Sequence, residues 1–274
     1  MPVETPLPAG LADALLRHQR LVVAFSGGVD SSLLAWAAAK TLGRQRVLAA
    51  TAVSASLAPE ERQACQRLAA SWGLRWTAVE TDELSRPEYA ANGTDRCYHC
   101  KSELMDRLGP LAEAEGATVV LGVNLDDLSD HRPGQKAASE RGAAFPLVEA
   151  GMTKRDVRQA ARLAGLEVWD KPAAPCLASR VPYGTPVTLG VLEQVGLAES
   201  ALRKLGFGDL RVRHYGDLAR VELAEADLDR ALELRTQVVG ALKQIGYRYV
   251  TLDLEGLRSG NLNPARVASR SGGH

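Results

Sequence analysis

The stretch that decides the fold is LVVAFSGGVDSSLLAW, Leu21–Trp36. Apolar residues of β type run from Leu21 to Phe25, break into Ser26-Gly27-Gly28, and give way to an apolar helix-like stretch from Ser31. A buried strand that turns through glycines into a helix makes an anion site. Glycines allow close backbone approach, and the free N–H groups of the helix start point at the anion. The hydroxyls of Ser26, Ser31 and Ser32 add donors. No Gly-Lys-Ser/Thr follows, so this is not the phosphate loop of kinase-like NTPases. Asp30 places a carboxylate in the same turn, where phosphates alone would repel it; a Mg2+ ion held by Asp30 reconciles the two.

Working outward, strand-like runs alternate with amphipathic helical segments. Helix Ser31–Leu42 is followed by strand VLAATAV, helix Pro59–Trp72, strand RWTAV and, later, strand TVVLGV. That alternation predicts an α/β fold, a doubly wound parallel sheet with ligands at the carboxyl ends of its strands. TKRDVRQAARLAGLEV reads as a helix capped by Thr153. After it comes a Pro-rich connector, WDKPAAPCLASRVPYGTPVT, Trp169–Thr188. Helix Leu189–Leu205, strands LRVRHY and ARVEL, helix Ala226–Ile245 and strand YVTLDL then predict a smaller C-terminal α+β domain of ferredoxin-like character. The expected domains are 1–185 for the nucleotide and 186–274 for substrate binding and oligomerisation, with ARVASRSGGH as a frayed tail.

Composition limits the function classes. The 274 residues suffice for a full core, and 46% hydrophobic with 24% charged residues is ordinary for a globular protein. Thirty-three basic residues balance thirty-three acidic ones, so no strong field draws the chain to nucleic acid or anionic lipid. No run approaches the roughly 18 apolar residues of a membrane span. The N-terminal stretch lacks a basic start followed by an apolar core, so a cytoplasmic protein is expected.

Four cysteines are too few for a disulfide scaffold. Cys65, on an amphipathic helix, reads as a small buried hydrophobe. Cys97 and Cys100 in DRCYHCK and Cys176 in APCLASR read as polar-loop residues. A Cys-x-x-Cys pair with a third loop cysteine can hold a 4Fe-4S cluster through three thiolates, leaving one iron open. Structural zinc and a redox dithiol at Cys97 and Cys100 stay open as readings, the latter weakened by the lack of a strand leading into a helix there. LGVNLDDLSDHRPG places Gly122, Asn124, Asp126 and Asp127 at a later strand end, near the same sheet edge. In LRVRHYGD, Arg211 and Arg213 share one side of a strand, a geometry suited to clamping a phosphate, with Glu222 and Asp229 nearby to orient them or a ribose.

SGGVDSS resembles the loop of the pyrophosphate-loop ATPases, which include asparagine, GMP and NAD synthetases and many thiolation enzymes. Together with RCYHCK, DHRPG, PCLASR followed by PYGT, and LRSGNLN, in that order, it is similar to the LarE family of sulfur transferases over nearly the whole chain. The resemblance implies cleavage of ATP between its α- and β-phosphates and adenylation of a carboxylate of a pyridinium-3,5-dicarboxylate mononucleotide. A sulfur nucleophile then displaces AMP. It implies ATP binding by Ala24, Ser26, Gly27, Gly28, Asp30, Ser31, Ser32, Gly122, Asn124 and Asp127, with Mg2+ on Asp30. It implies substrate binding by Ser179, Arg180, Arg211, Arg213, Glu222 and Asp229. In one version of the family the cysteine corresponding to Cys176 gives up its own sulfur; in the other three cysteines hold a 4Fe-4S cluster. Cys97 and Cys100 beside Cys176 favour the cluster. The resemblance also implies a homo-oligomer and other cofactor-biosynthesis proteins as partners. A pyrophosphate-loop tRNA thiolase is the main rival, and a non-catalytic nucleotide-binding module the bland one. One departure is Leu257 in GLRSGN, where many relatives carry tyrosine.

Overall fold

The computed structural model describes residues 7–128 and 133–258. The frayed-tail expectation and parts of the DHRPG and LRSGNLN motifs lie outside the described residues. The chain divides into two compact units, one of residues 1–89 and 95–174, the other of 90–94 and 175–274. The division therefore falls before Cys176, which belongs to the second unit.

In the first unit, strands β1 (Leu21–Ala24), β2 (Val47–Val53), β3 (Arg75–Glu80) and β4 (Thr118–Leu121) form a parallel sheet in the order β3-β2-β1-β4. Its helices are α1 (Ala9–Leu16), α2 (Val29–Leu42), α3 (Pro59–Ser71), α4 (Pro87–Ala90, ending at the unit boundary), α5 (Arg96–Glu115), α6 (Leu125–Leu128), α7 (Pro133–Glu140), α8 (Pro146–Glu149) and α9 (Lys154–Leu163). Period-2 alternation explains why β1 reads as an unbroken apolar run. Leu21 and Val23 join one core with α1, α2, α3 and α9, while Val22 joins a second core with α5 and α7. Both faces are covered, as a doubly wound sheet requires. The chain leaves β1 toward β2 and later returns to pair β4 on the other side, Leu21 opposite both Val47 and Thr118. The β1–α2 turn thus opens at the point where the strand order reverses, the place such sheets bind ligands.

The second unit holds α10 (Leu189–Lys204), β5 (Leu210–Tyr215), β6 (Leu218–Leu223), α11 (Leu228–Glu233), α12 (Arg235–Gln244) and β7 (Tyr249–Leu252). The ferredoxin-like expectation is corrected. There are three strands in the order β5-β6-β7, with β5 and β6 antiparallel and β7 parallel to β6. The single helix expected over 226–245 breaks at Leu234 into α11 and α12. Apolar residues of α10, both hairpin strands and α12 close over one face, with Leu202, Val212, Ala219, Val221, Leu242 and Tyr247 at its centre. Residues 90–94 belong to this unit because of Asn92. It is fully buried, and its amide donates to the carbonyls of Pro182 and Thr185, each at 2.8 Å. Among the described residues no helix is long and apolar enough to cross a membrane.

Candidate active site

Helix α2 starts at Gly28, and its first intrahelical bond runs from the Ser32 N–H to the Gly28 carbonyl at 3.0 Å. The N–H groups of Gly28, Val29, Asp30 and Ser31 therefore have no partner within the helix. Ser31 Oγ accepts from the Ser26 N–H at 3.2 Å and lies 3.1 Å from Ser26 Oγ, so the two serines hold the turn closed. Ser32 is fully buried and Ser31 nearly so, while Ser26 is exposed.

Gly27 sits at φ +67°, and a Cβ there would stand 2.9 Å from Cys65 Sγ. Glycine is needed for two reasons, the left-handed backbone and the sulfur beneath it. Cys65 is fully buried, as the small hydrophobe expected, and burial pushes its thiol up from the usual range. Thr51 completes the floor, its hydroxyl donating to the Phe25 carbonyl at 2.8 Å.

Asp30 organises the other side of the turn. Its Oδ1 accepts from the Asn124 amide at 3.0 Å, and its Oδ2 lies 2.5 Å from Lys154 Nζ. Asn124 is itself fixed, because its Oδ1 accepts from the Asp126 N–H at 3.0 Å and the Asp127 N–H at 3.3 Å. Asp127 Oδ2 accepts from the Asn124 N–H at 3.2 Å, and Asp126 Oδ2 accepts from the Lys154 N–H at 2.8 Å. Gly122 has a packing role, since a Cβ there would lie 2.6 Å from the Ser31 nitrogen; only glycine lets this loop meet α2. Lys154 follows Thr153, whose capping box with Asp156 starts α9 and fixes where the lysine emerges.

A second lysine serves the loop from the connector. Lys171 Nζ donates to the Gly27 carbonyl at 3.3 Å and to Glu61 Oε2 at 2.7 Å. Neither lysine stood out in the sequence. The only cue was the helix-capping Thr153 beside Lys154; Lys171 carried none.

The loop placement expected for Cys97 and Cys100 is corrected. Both lie at the start of the 20-residue helix α5, a helix start preceded by a 3-10 turn and α4 rather than directly by a strand. Gly134 of α7 packs flush on this turn, where a Cβ would stand 2.9 Å from the Cys97 carbonyl oxygen, and Tyr98 donates to Glu140 of α7 at 2.7 Å. Cys97 is exposed, Cys100 half-buried and Cys176 of the second unit exposed. Among the described residues no three His, Cys, Asp or Glu side chains stand close enough together to hold a metal ion.

In the second unit Arg180 is turned into a network of its own unit. It is buried, pairs bidentately with Glu199 at 2.7 and 3.0 Å, and donates to the carbonyls of Pro175 at 2.6 Å and Cys176 at 3.3 Å and to Ser179 Oγ at 3.0 Å. It braces the backbone that carries Cys176. Glu199, fully buried, also receives Arg203 at 3.0 Å and the Val212 N–H at 3.2 Å. Glu199 was not among the expected site residues, although a charge among Leu192, Val195, Ala198 and Leu202 on the apolar stripe of α10 is a readable signal. Arg213 donates to Glu222 Oε2 at 2.8 Å and to the Ser179 carbonyl at 2.9 Å. Arg211, also buried, reaches the Arg258 carbonyl at 3.1 Å. Burial, then Arg213 and Arg180, lower its pKa from the ordinary arginine value, so an anion beside it is favoured. Asp229 is exposed on α11 and makes no ion pair with these arginines.

Two kinds of comparison agree with this geometry. The family profile described as NAD synthase matches residues 14–98, which span the glycine turn. The pyridinium-3,5-bisthiocarboxylic acid mononucleotide synthase of Lactiplantibacillus plantarum is 42% identical over 256 residues, 93% of each chain. The chain belongs to the LarE family. It is an ATP-using enzyme with a pyrophosphate loop. Uncharacterised proteins of Synechocystis sp. (49% identical over 247 residues) and Methanocaldococcus jannaschii (25% over 244 residues) each match 89% of this chain and 92% of their own length. Within this LarE-family chain, the first unit gathers Ser26, Gly27, Gly28, Asp30, Ser31, Gly122, Asn124 and Asp127 around one helix start. The second gathers Ser179, Arg180, Arg213 and Glu222 in one network.

Proposed function

We propose that this enzyme adenylates a carboxylate of pyridinium-3,5-dicarboxylate mononucleotide and replaces the activated oxygen with sulfur. The observation that carries the activation step is the free helix start of α2 with Lys154 held on Asp30 at 2.5 Å. A substrate carboxylate oxygen attacks the α-phosphorus of ATP, the bond to the β-phosphate breaks, and pyrophosphate leaves. Free N–H groups from Gly28 to Ser31 and the Lys154 ammonium stabilise the charge that collects on the leaving group. Asn124 fixes Asp30, and Asp30 fixes the lysine. Asp30 already carries a cation and would hold Mg2+, which would neutralise phosphate charge there.

Arg211, flanked by Arg213, is the group suited to the substrate's phosphate, since it is buried beside like charge and, among the described residues, has no carboxylate within bonding distance. Sulfur then adds to the carbonyl carbon of the acyl-adenylate and AMP leaves. The donor chemistry of Cys97, Cys100 and Cys176 fits a 4Fe-4S cluster, because all three carry a thiol side chain and lie outside the cores. Cys97, Cys100 and Cys176 would hold such a cluster, which would supply the sulfide for the transfer. Arg180 holds the Cys176 backbone in place for either this role or loss of the Cys176 sulfur. A homo-oligomer in the cytoplasm, working with other proteins of cofactor assembly, completes this reading.

The test is iron and acid-labile sulfide analysis of the anaerobically reconstituted protein and of its three single cysteine-to-serine variants. The reading predicts about four irons per chain, lost on replacing any of the three. Iron-free protein that loses Cys176 sulfur on turnover contradicts the cluster and favours the sacrificial route.

A further inference from the structure

Lys171 stands apart from the activation site just described, yet its ammonium touches the loop backbone itself. Its Nζ donates to the Gly27 carbonyl at 3.3 Å while Glu61, in the first turn of α3, holds the same nitrogen at 2.7 Å. The lysine's own backbone is pinned as well. Arg158 of α9 donates to the carbonyls of Trp169 at 3.2 Å and Lys171 at 3.3 Å, and Arg162 lies over the Trp169 ring at 5.0 Å. The connector is therefore anchored before it reaches the unit boundary at residue 174.

The peptide between Gly27 and Gly28 is trans and planar, so its C=O and N–H point in opposite directions. Drawing the Gly27 carbonyl toward Lys171 turns the Gly28 N–H away from it. Glycine at φ +67° has several accessible backbone orientations, and a carbonyl swung into the anion site would face the phosphates with negative charge. Nothing else among the described residues donates to that carbonyl. Glu61 matters in two ways: it fixes the position of the ammonium and balances its charge, so the lysine acts on the peptide rather than on the ligand.

We propose that Lys171, anchored by Glu61, is a positioning residue for the activation step, holding the Gly27 peptide so that the Gly28 N–H faces the pyrophosphate of ATP. This rests on the adenylation reading above. It also makes the nucleotide loop and the connector leading to the Cys176 segment one mechanical unit, because a single side chain grips both.

The experiment measures Mg-ATP binding by calorimetry and nucleotide-free thermal unfolding for the wild type, Lys171→Met, Lys171→Arg and Glu61→Gln. The wild type must bind Mg-ATP; if it does not, the adenylation reading fails and Lys171 is not in question. The proposal expects Lys171→Met to weaken Mg-ATP at least tenfold, and Lys171→Arg, which keeps a donor, to stay within about threefold of wild type. Glu61→Gln, which keeps the lysine but loosens it, is expected to weaken binding several-fold. Wild-type affinity in Lys171→Met overturns the proposal, as does an arginine variant no better than methionine. Tighter binding in Glu61→Gln also overturns it, because a released lysine would then be a direct phosphate ligand. Should Lys171→Met not fold, the opposite signs expected for Glu61→Gln decide the matter alone.

Discussion

Lys154 Nζ lies 2.5 Å from Asp30 Oδ2, although 124 positions separate the two residues in the chain. The glycine turn carries no lysine of its own, and the fold brings one to it from the start of α9. The pair gives the loop a cation that is oriented before ATP arrives, which is the arrangement electrostatic stabilisation of a leaving group requires.

Replacing Lys154 with methionine keeps the aliphatic stem and removes the charge. Pyrophosphate release in the presence of the carboxylate mononucleotide should fall by about 10²–10³-fold, the range for loss of one preorganised donor. Asp30→Asn should also lower it, because the lysine loses its anchor. Steady-state pyrophosphate assays read both, and an unaffected Lys154→Met would remove this residue from the mechanism.

Gly27→Ala imposes a left-handed backbone on alanine and drives its Cβ to 2.9 Å from Cys65 Sγ. The backbone part costs about 1–3 kcal/mol. Adding Cys65→Ala should recover the steric part but not the backbone part, giving a non-zero coupling in a double-mutant cycle read by thermal unfolding. Strict additivity would mean that the loop relaxes away from the sulfur.

Arg211→Ala should raise the KM for the phosphorylated mononucleotide at least tenfold and leave Mg-ATP affinity unchanged. Its side chain belongs to the second unit and the glycine loop to the first. Titration calorimetry with ATP, alongside substrate kinetics, separates the two effects. Loss of ATP affinity instead would move the clamp to the nucleotide.

Glu103 provides a pH test of the helix that carries Cys97 and Cys100. Burial pushes its carboxyl up, but hydrogen bonds from Arg107, Arg86 and the Asp82 N–H outweigh this and lower its pKa from 4.5 to about 2. A depressed pKa contributes stability that is present above the unfolded value and lost as pH falls through the folded one. The wild type should therefore lose stability between pH 4.5 and about 2, and Glu103→Gln should be less stable at neutral pH with a shallower acid dependence over that window. Acid titrations followed by circular dichroism check the slope.

What the sequence made legible was local. Apolar β1 running into Ser26-Gly27-Gly28, the Thr153 cap and the strand pair around Arg211 and Arg213 each write their structure in neighbouring residues. Lys154, Lys171 and Glu199 act on partners far along the chain, and no local pattern records such proximity. Helix α5 was hidden for another reason. Pro110 lies inside it and its first turn is polar, so the Cys97–Cys100 pair looked like loop. The expectation that Glu222 orients an arginine matches its bond from Arg213, whereas the PCLASR motif gives no sign that Arg180 is engaged with Glu199 far along the chain.

In the proposed reaction, ATP cleavage at this loop activates a carboxylate for sulfur. The most direct measurement is an anaerobic single-turnover reaction with ATP, Mg2+ and pyridinium-3,5-dicarboxylate mononucleotide, following pyrophosphate and the mass of the mononucleotide together. One pyrophosphate is expected for each oxygen replaced by sulfur, with none released when the mononucleotide is omitted. Sulfur incorporation without pyrophosphate, or no pyrophosphate with the mononucleotide present, would contradict it.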